Sequence, residues 1–253
     1  MTKHSPFRYF KTSLEVIRLA VMLYIRFPFS LRNVEDLLHE RAIEISQETV
    51  RFWWNRFGPI FVAEIRRNRV SRMRSYSNWQ WHLEEVFVKI NGEIHYLCWA
   101  VDHEGEVLKS YVTKRQDRKA ALKFFKKAMK RYGRPEVVVT DKLRSYGAAM
   151  KVFGNADRQE TGRWCNNRAE NSHLPFRRRE RAMLRFRQMR CPQKFAAVHY
   201  SVHNHFNQER HFYSRDNFKL NRTAAFTEWR QLLNPYIWAG QQSEVSFKSS
   251  HIT

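Results

Sequence analysis

Apolar residues recur at helical spacing through the first quarter of the chain and alternate with polar ones further on. Leu14, Ile17, Val21 and Tyr24 fall three or four apart, which predicts a core helix in a stretch that also holds Arg18. Ser30 is placed to cap a second helix with Val34, Leu37 and Leu38 on one face and Glu35 and Asp36 near its start. A short break, Arg41–Ile45, leads to a further cap, Ser46. The helix after it lines up Val50, Trp54, Phe57 and Phe61 on one side and Gln47, Arg51 and Asn55 on the other. Helix, tight turn and helix with polar, basic outward residues is the layout of a helix-turn-helix, and also of an ordinary helical bundle. Residues from Ile65 to Asn78 are basic and aperiodic and predict a linker able to follow a phosphate backbone.

The period then changes to two. Trp81–Ile90 leads through Asn91-Gly92, a strong hairpin signal, into Glu93–Asp102. His103-Glu104-Gly105 makes a second turn before Val107–Lys114. Arg118–Tyr132 predicts a helix with Ala121, Phe124, Phe125 and Ala128 inward, ended by Gly133. Val137–Val139 is a short apolar run of the buried parallel type, followed by a helix over Leu143–Phe153 and a weak strand. Three antiparallel strands, a helix and a buried strand running into Asp141 match a ribonuclease-H-like α/β (α+β) domain. The expected division is a helix-turn-helix domain over 1–64, a basic linker over 65–80, a catalytic domain over 81–233 and a loose tail over 234–253.

Charge narrows the partners. Lys and Arg number 46 against 24 Asp and Glu, a formal net charge of +22 that marks a polyanion partner. No apolar run approaches the roughly 20 residues a bilayer span needs, and no signal peptide is visible, so a cytoplasmic protein with no membrane partner is expected. Cys98, Cys165 and Cys191 are too few and too scattered for a disulfide framework or a zinc cage. His199, His203 and His205 lack the further ligands a helical zinc site needs; packing or DNA contact accounts for them better.

Within this basic chain a few carboxylates stand out. Asp141 closes the run Pro135–Thr140, and Glu170 lies between Trp164 and Arg181 among many arginines. Phosphate repels a carboxylate, and the counter-ion that suits one beside nucleic acid is a divalent metal. Glu84 or Glu85 adds a third acid from a strand. Each also has a structural reading: Glu84 as an exposed strand residue, Asp141 as a helix cap, Glu170 as a partner of Arg177 or Arg168. Glu84 shares a strand face with Val86, Val88 and Ile90, whereas Glu85 points the other way. A two-residue turn at Asn91-Gly92 puts Glu84 opposite about Trp99 and leaves Asp102 some ~10 Å farther along. Pro175 interrupts any helix begun at Arg168, so a kink or a fresh start is expected there. The run Arg177-Arg178-Arg179-Glu180-Arg181 suggests phosphate contact.

Four segments carry a family resemblance: Trp81–Gly92, Ala100–Glu106, Val139–Gly147 and Asn166–His173, extended by Asn204–Arg210 and the stretch Ser30–Phe57. Across roughly residues 10 to 230 the chain resembles bacterial insertion-sequence transposases of the DDE class, of the family typified by insertion sequence six. The resemblance implies an enzyme that binds terminal inverted repeats, cleaves a DNA strand at the transposon end and joins the 3′-hydroxyl to target DNA. It also implies a homodimer, a cytoplasmic, nucleoid-associated location and Mg²⁺ as cofactor, with Mn²⁺ able to substitute. Position by position, Asp141 matches the second acid, Glu170 the third and Arg177 the basic residue after it. Glu84 stands where the family has Asp, Ala42 where Gly is usual in the DNA-reading turn, and Cys98 where Arg is usual. The expected catalytic and metal-binding residues are therefore Glu84, Asp141 and Glu170. The expected DNA contacts are Gln47, Arg51, Asn55, Arg168, Arg177, Arg178, Arg179 and Arg181. Glu84 adds a methylene at the position that bridges two ions, which implies reduced activity. The alternatives are a catalytically inactive DNA-binding remnant or regulator and, more distantly, an RNA-directed nuclease of the same fold.

Overall fold

The computed structural model describes residues 6–73, 80–103, 105–140, 144–154, 158–161, 172–183, 186–206 and 214–233. These fall into two compact units, one of residues 1–65 with 205–253 and one of residues 66–204.

The first unit is helical. α1 (Leu14–Arg26) starts at Ser13, whose side chain accepts from the Val16 amide, and buries Ile17, Ala20, Val21 and Ile25. α2 (Leu31–His39) opens on a capping box between Ser30 and Asn33. α3 (Gln47–Met73) follows Ser46, whose hydroxyl accepts from the Thr49 amide, and buries Val50, Trp54, Phe57 and Phe61 as its spacing predicts. Phe61 packs on Trp229 of the last helix, α8 (Arg215–Gln231), with ring centroids 5.4 Å apart. Arg18 explains the charged residue inside the apolar stretch. Its guanidinium is buried and donates to the backbone carbonyls of Arg230 and Leu232, groups that the end of α8 leaves without helical partners.

The second unit is a five-stranded sheet of order β3-β2-β1-β4-β5. β1 (Gln80–Ile90), β2 (Glu93–Asp102) and β3 (Val107–Thr113) are antiparallel; β4 (Val137–Thr140) runs parallel to β1, and β5 (Gln159–Thr161) parallel to β4. That order and those directions are the ribonuclease-H-like arrangement. Asn91 and Gly92, at φ 50° and 85°, make the tight turn their side chains favour. One sheet face, carrying Trp81, Leu83, Cys98 and Ala100, packs on Phe124, Phe125 and Ala128 of α4 (Arg118–Tyr132) and on Tyr146 and Met150 of α5 (Arg144–Val152). α6 (Leu174–Arg181) and α7 (Arg190–Phe206) lie against the other face, where Trp99 meets His173 and Tyr200. Gln193 bonds the backbone of Ser110 and Val112, and Asn204 that of Val107, so α7 satisfies the outer edge of β3.

Two boundaries differ from the sequence expectation. α3 continues to Met73, through most of the stretch read as linker, because its basic residues carry helical propensity that an apolar period does not reveal. Residues 214–233, expected in the catalytic domain, group with the N-terminal helices through Arg18 and Trp229. The expected tail over 234–253 lies outside the described residues.

Candidate active site

Glu84 sits in the middle of β1, paired with Trp99 on β2 as the turn predicts. Burial of Val86, Val88 and Ile90 confirms the face it shares with them. Its side chain is only 13% exposed, and its Oε2 lies 3.2 Å from His173 Nδ1. An ionised carboxylate only accepts, so the imidazole N–H donates in that contact. His173 immediately precedes α6, and its ring packs 5.6 Å from that of Trp99, so β2 and α6 together fix it against Glu84. Tyr200 closes the same region from α7. Burial pushes its phenol well above the usual range; Arg177 acts the other way, while Glu84 and Glu180 add to the rise.

Thr140, the last residue of β4, pairs with Leu83, beside Glu84 on β1. Its hydroxyl accepts from Gln159 Nε2 at 2.8 Å. Asp141 follows Thr140 directly in the chain, and His173 comes three residues after Glu170. Asp141, Glu170 and Arg168 themselves lie outside the described residues. Among the described residues no group of three His, Cys, Asp or Glu side chains comes together as a metal site.

Neither neighbouring acid occupies the place of Glu84. Glu85 faces the opposite side, across from Cys98. Burial raises the Cys98 thiol pKa well above normal, and the Glu85 charge raises it further. Asp102 pairs with Trp81, three positions along, and its Oδ1 accepts from the Glu106 amide at 2.8 Å, closing the β2–β3 turn.

The arginines of α6 divide. Pro175 lies in the first turn of that helix, a fresh start as expected. Arg178 and Arg181 are exposed, and Arg177 holds Glu180 at 2.6 Å. Arg179 departs from the phosphate-contact expectation. It is 1% exposed, with its guanidinium 5.4 Å from the Phe195 ring centroid, because the helical period turns it inward against α7. In the first unit, Arg51 and Asn55 are exposed on α3 and Gln47 partly so. Arg51 pairs with Glu48 at 3.0 Å, and the Asn55 amide donates to the Arg51 carbonyl at 2.9 Å.

Sequence reading assigned no role to His173 or Tyr200. The signal for His173 was its position three residues after Glu170; for Tyr200, one position on a helix, there was none. His199 is buried among Phe176, Phe195 and Tyr200, and burial, with His203 and Arg179 nearby, holds its pKa well below the usual range. Among the described residues no helix is long and apolar enough to cross a membrane.

Residues 78–209 match a transposase family described as a DDE domain, of the IS240 type. The transposase for insertion sequence-like element IS431mec of Staphylococcus aureus is 31% identical over 172 residues, covering 66% of this chain and 75% of that protein. The transposase for insertion sequence element IS257 in transposon Tn4003, also from Staphylococcus aureus, matches with the same identity and coverage. The HTLV-2 integrase catalytic core domain in complex with magnesium is similar over 53% of this chain and 89% of that one, at 15% identity and a TM-score of 0.39.

Proposed function

The chain belongs to the DDE-domain transposases of the insertion-sequence-six family, and from that premise we propose that it cleaves a DNA strand at terminal inverted repeats and transfers the end to target DNA. The observation that carries this reading is convergence on β1. Leu83 and Glu84 are met by Thr140, the residue before Asp141, and by His173, three residues after Glu170.

The residues fit a hard divalent cation. All three acids offer carboxylate oxygens, and Glu84 has no Lys or Arg ion pair among the described residues. Glu84, Asp141 and Glu170 would hold Mg²⁺, with Mn²⁺ able to substitute. When bound, the ions stabilise the attacking and leaving oxygens of an in-line displacement at phosphorus. The chain's own residues set the rest. His173 fixes one Glu84 oxygen, and the Glu84 carboxylate would take part in holding the ions. Trp99 and Tyr200 wall that side of the sheet, and Arg177, with Arg178 and Arg181 exposed beyond it, presents positive charge to the phosphate backbone. Gln47, Arg51 and Asn55 face the groove of the inverted repeat, and the working enzyme is a homodimer acting on nucleoid DNA in the cytoplasm.

Glu84 also predicts slow chemistry. Its extra methylene displaces the carboxylate relative to Asp, and misplacement of about 1 Å can cost about 10²-fold in rate. The test is strand transfer of a pre-cleaved inverted-repeat end into plasmid, in Mg²⁺ and in Mn²⁺. Activity lost in Glu170→Ala and raised about 10²-fold in Glu84→Asp is the expected result. Activity unchanged by Glu170→Ala would overturn the site. Silence of every variant would point to the inactive remnant instead.

A further inference from the structure

The outer face of α4 carries a charge pattern that the active-site reading leaves unused. Arg118, Lys119, Lys123, Lys126, Lys127, Lys130 and Arg131 are all exposed, and the helix contains no acid. A solvated helix face usually interleaves opposite signs three or four residues apart, since like charges at that spacing repel. Here none of the seven has an ion pair among the described residues. Crowding continues onto the edge strand. Lys127 Nζ sits 4.4 Å and Lys123 Nζ 5.7 Å from the Tyr111 ring centroid. Lys109, on the same sheet face, has its pKa lowered first by burial and then by Arg66, Arg131 and Lys127. Packing has thus gathered lysines beside one edge strand, and among the described residues no ion pair relieves the seven cations of α4.

Lys119, Lys123, Lys126 and Lys130 follow one side of α4 at i, i+4, i+7 and i+11, a row of roughly 16 Å. α4 covers the sheet face opposite to the one that carries Glu84, so this row and the Glu84 carboxylate look out from different sides of the sheet. A single strand end held at Glu84 leaves the row free.

We propose that the α4 face, with Lys109 and Tyr111 of β3, is a second binding surface for the phosphate backbone of duplex DNA, distinct from the catalytic side. Its occupant is a stretch of duplex bound without base readout, because lysines on a convex helix face meet phosphates as point charges. The surface needs only duplex DNA as ligand and does not depend on the three acids.

The test measures affinity of the full chain for a duplex of about three helical turns and unrelated sequence, between about 50 and 200 mM salt. The patch variant is Lys119→Gln, Lys123→Gln, Lys126→Gln and Lys130→Gln together. A control removes four exposed charges elsewhere in the same unit, at Lys89, Lys114, Lys151 and Arg158. A third protein carries Arg at the four patch positions. Each phosphate contact contributes about 0.9 to the salt slope, so the patch variant should lower the slope by about 2 to 4, the control by less than about 1 and the arginine variant hardly at all. Equal loss in patch and control variants would mean that net charge alone binds, and would overturn the proposal. So would an arginine variant that behaves like the glutamine one. Loss of strand transfer with an unchanged slope would count against this surface and leave the active-site reading standing.

Discussion

Ala42 lies in the turn between α2 and α3 at φ 55°, in the left-handed region that a β-carbon disfavours by about 1–2 kcal/mol. Gly is usual there in the family the chain resembles, and the backbone angle supplies the reason. Ala42→Gly should raise the urea midpoint of the first unit by the equivalent of about 1 kcal/mol; an unchanged or lower midpoint would show that the angle carries no strain. Glu84 and His173 make a second residue-scale case. The imidazole orients the carboxylate, and loss of such a supporting partner typically costs about 10–100-fold in metal affinity. His173→Ala should therefore weaken Mn²⁺ binding, read by titration of the free ion's magnetic resonance signal, by that factor. The position of Glu84 was legible from the strand period and the two-residue turn. The role of His173 was not, because it joins residues 89 apart in sequence and needs the sheet and α6 in place.

At the scale of elements, α1 and α8 are joined by one buried guanidinium. Arg18→Met keeps the apolar stem but leaves the carbonyls of Arg230 and Leu232 without their donor. Hydrogen bonds to a charged group are worth about 1.5–3 kcal/mol, so a loss of roughly that size is expected by chemical denaturation. Truncation after residue 213 should cost at least as much, since it removes α8 altogether. α7 carries a pH effect. His199 stays neutral in the folded chain because burial lowers its pKa, while the unfolded chain protonates near the usual imidazole value. Stability is then full above about pH 6.5 and falls as the pH drops below it, by up to about 1.4 kcal/mol per unit, until the folded pKa is reached. His199→Phe, beside Phe176 and Phe195, should flatten the fall of the urea midpoint below about pH 6.5; an undiminished slope would assign the acid sensitivity to other groups. From sequence, the i, i+4 imidazoles without further ligands suggest packing or DNA contact rather than a metal site, without saying which. The aromatic neighbours that decide it come from α6 and from other turns of α7.

Over the whole molecule, the formal charge of +22 predicts DNA affinity that falls steeply with salt whatever the sequence of the duplex. Only the tertiary structure separates that charge by location, burying Arg18 and Arg179 while leaving the α4 lysines outward. The sequence by itself determined most of the elements, the hairpin register that sets Glu84 against Trp99 and the strongly basic charge. Those follow from local rules: side-chain period, caps, turn residues and summed charge. Which segments share a unit, which arginines are buried and which imidazole reaches Glu84 were decided by packing. Each of those joins residues far apart along the chain, and a buried polar group keeps its place only where distant backbone or side chains satisfy it.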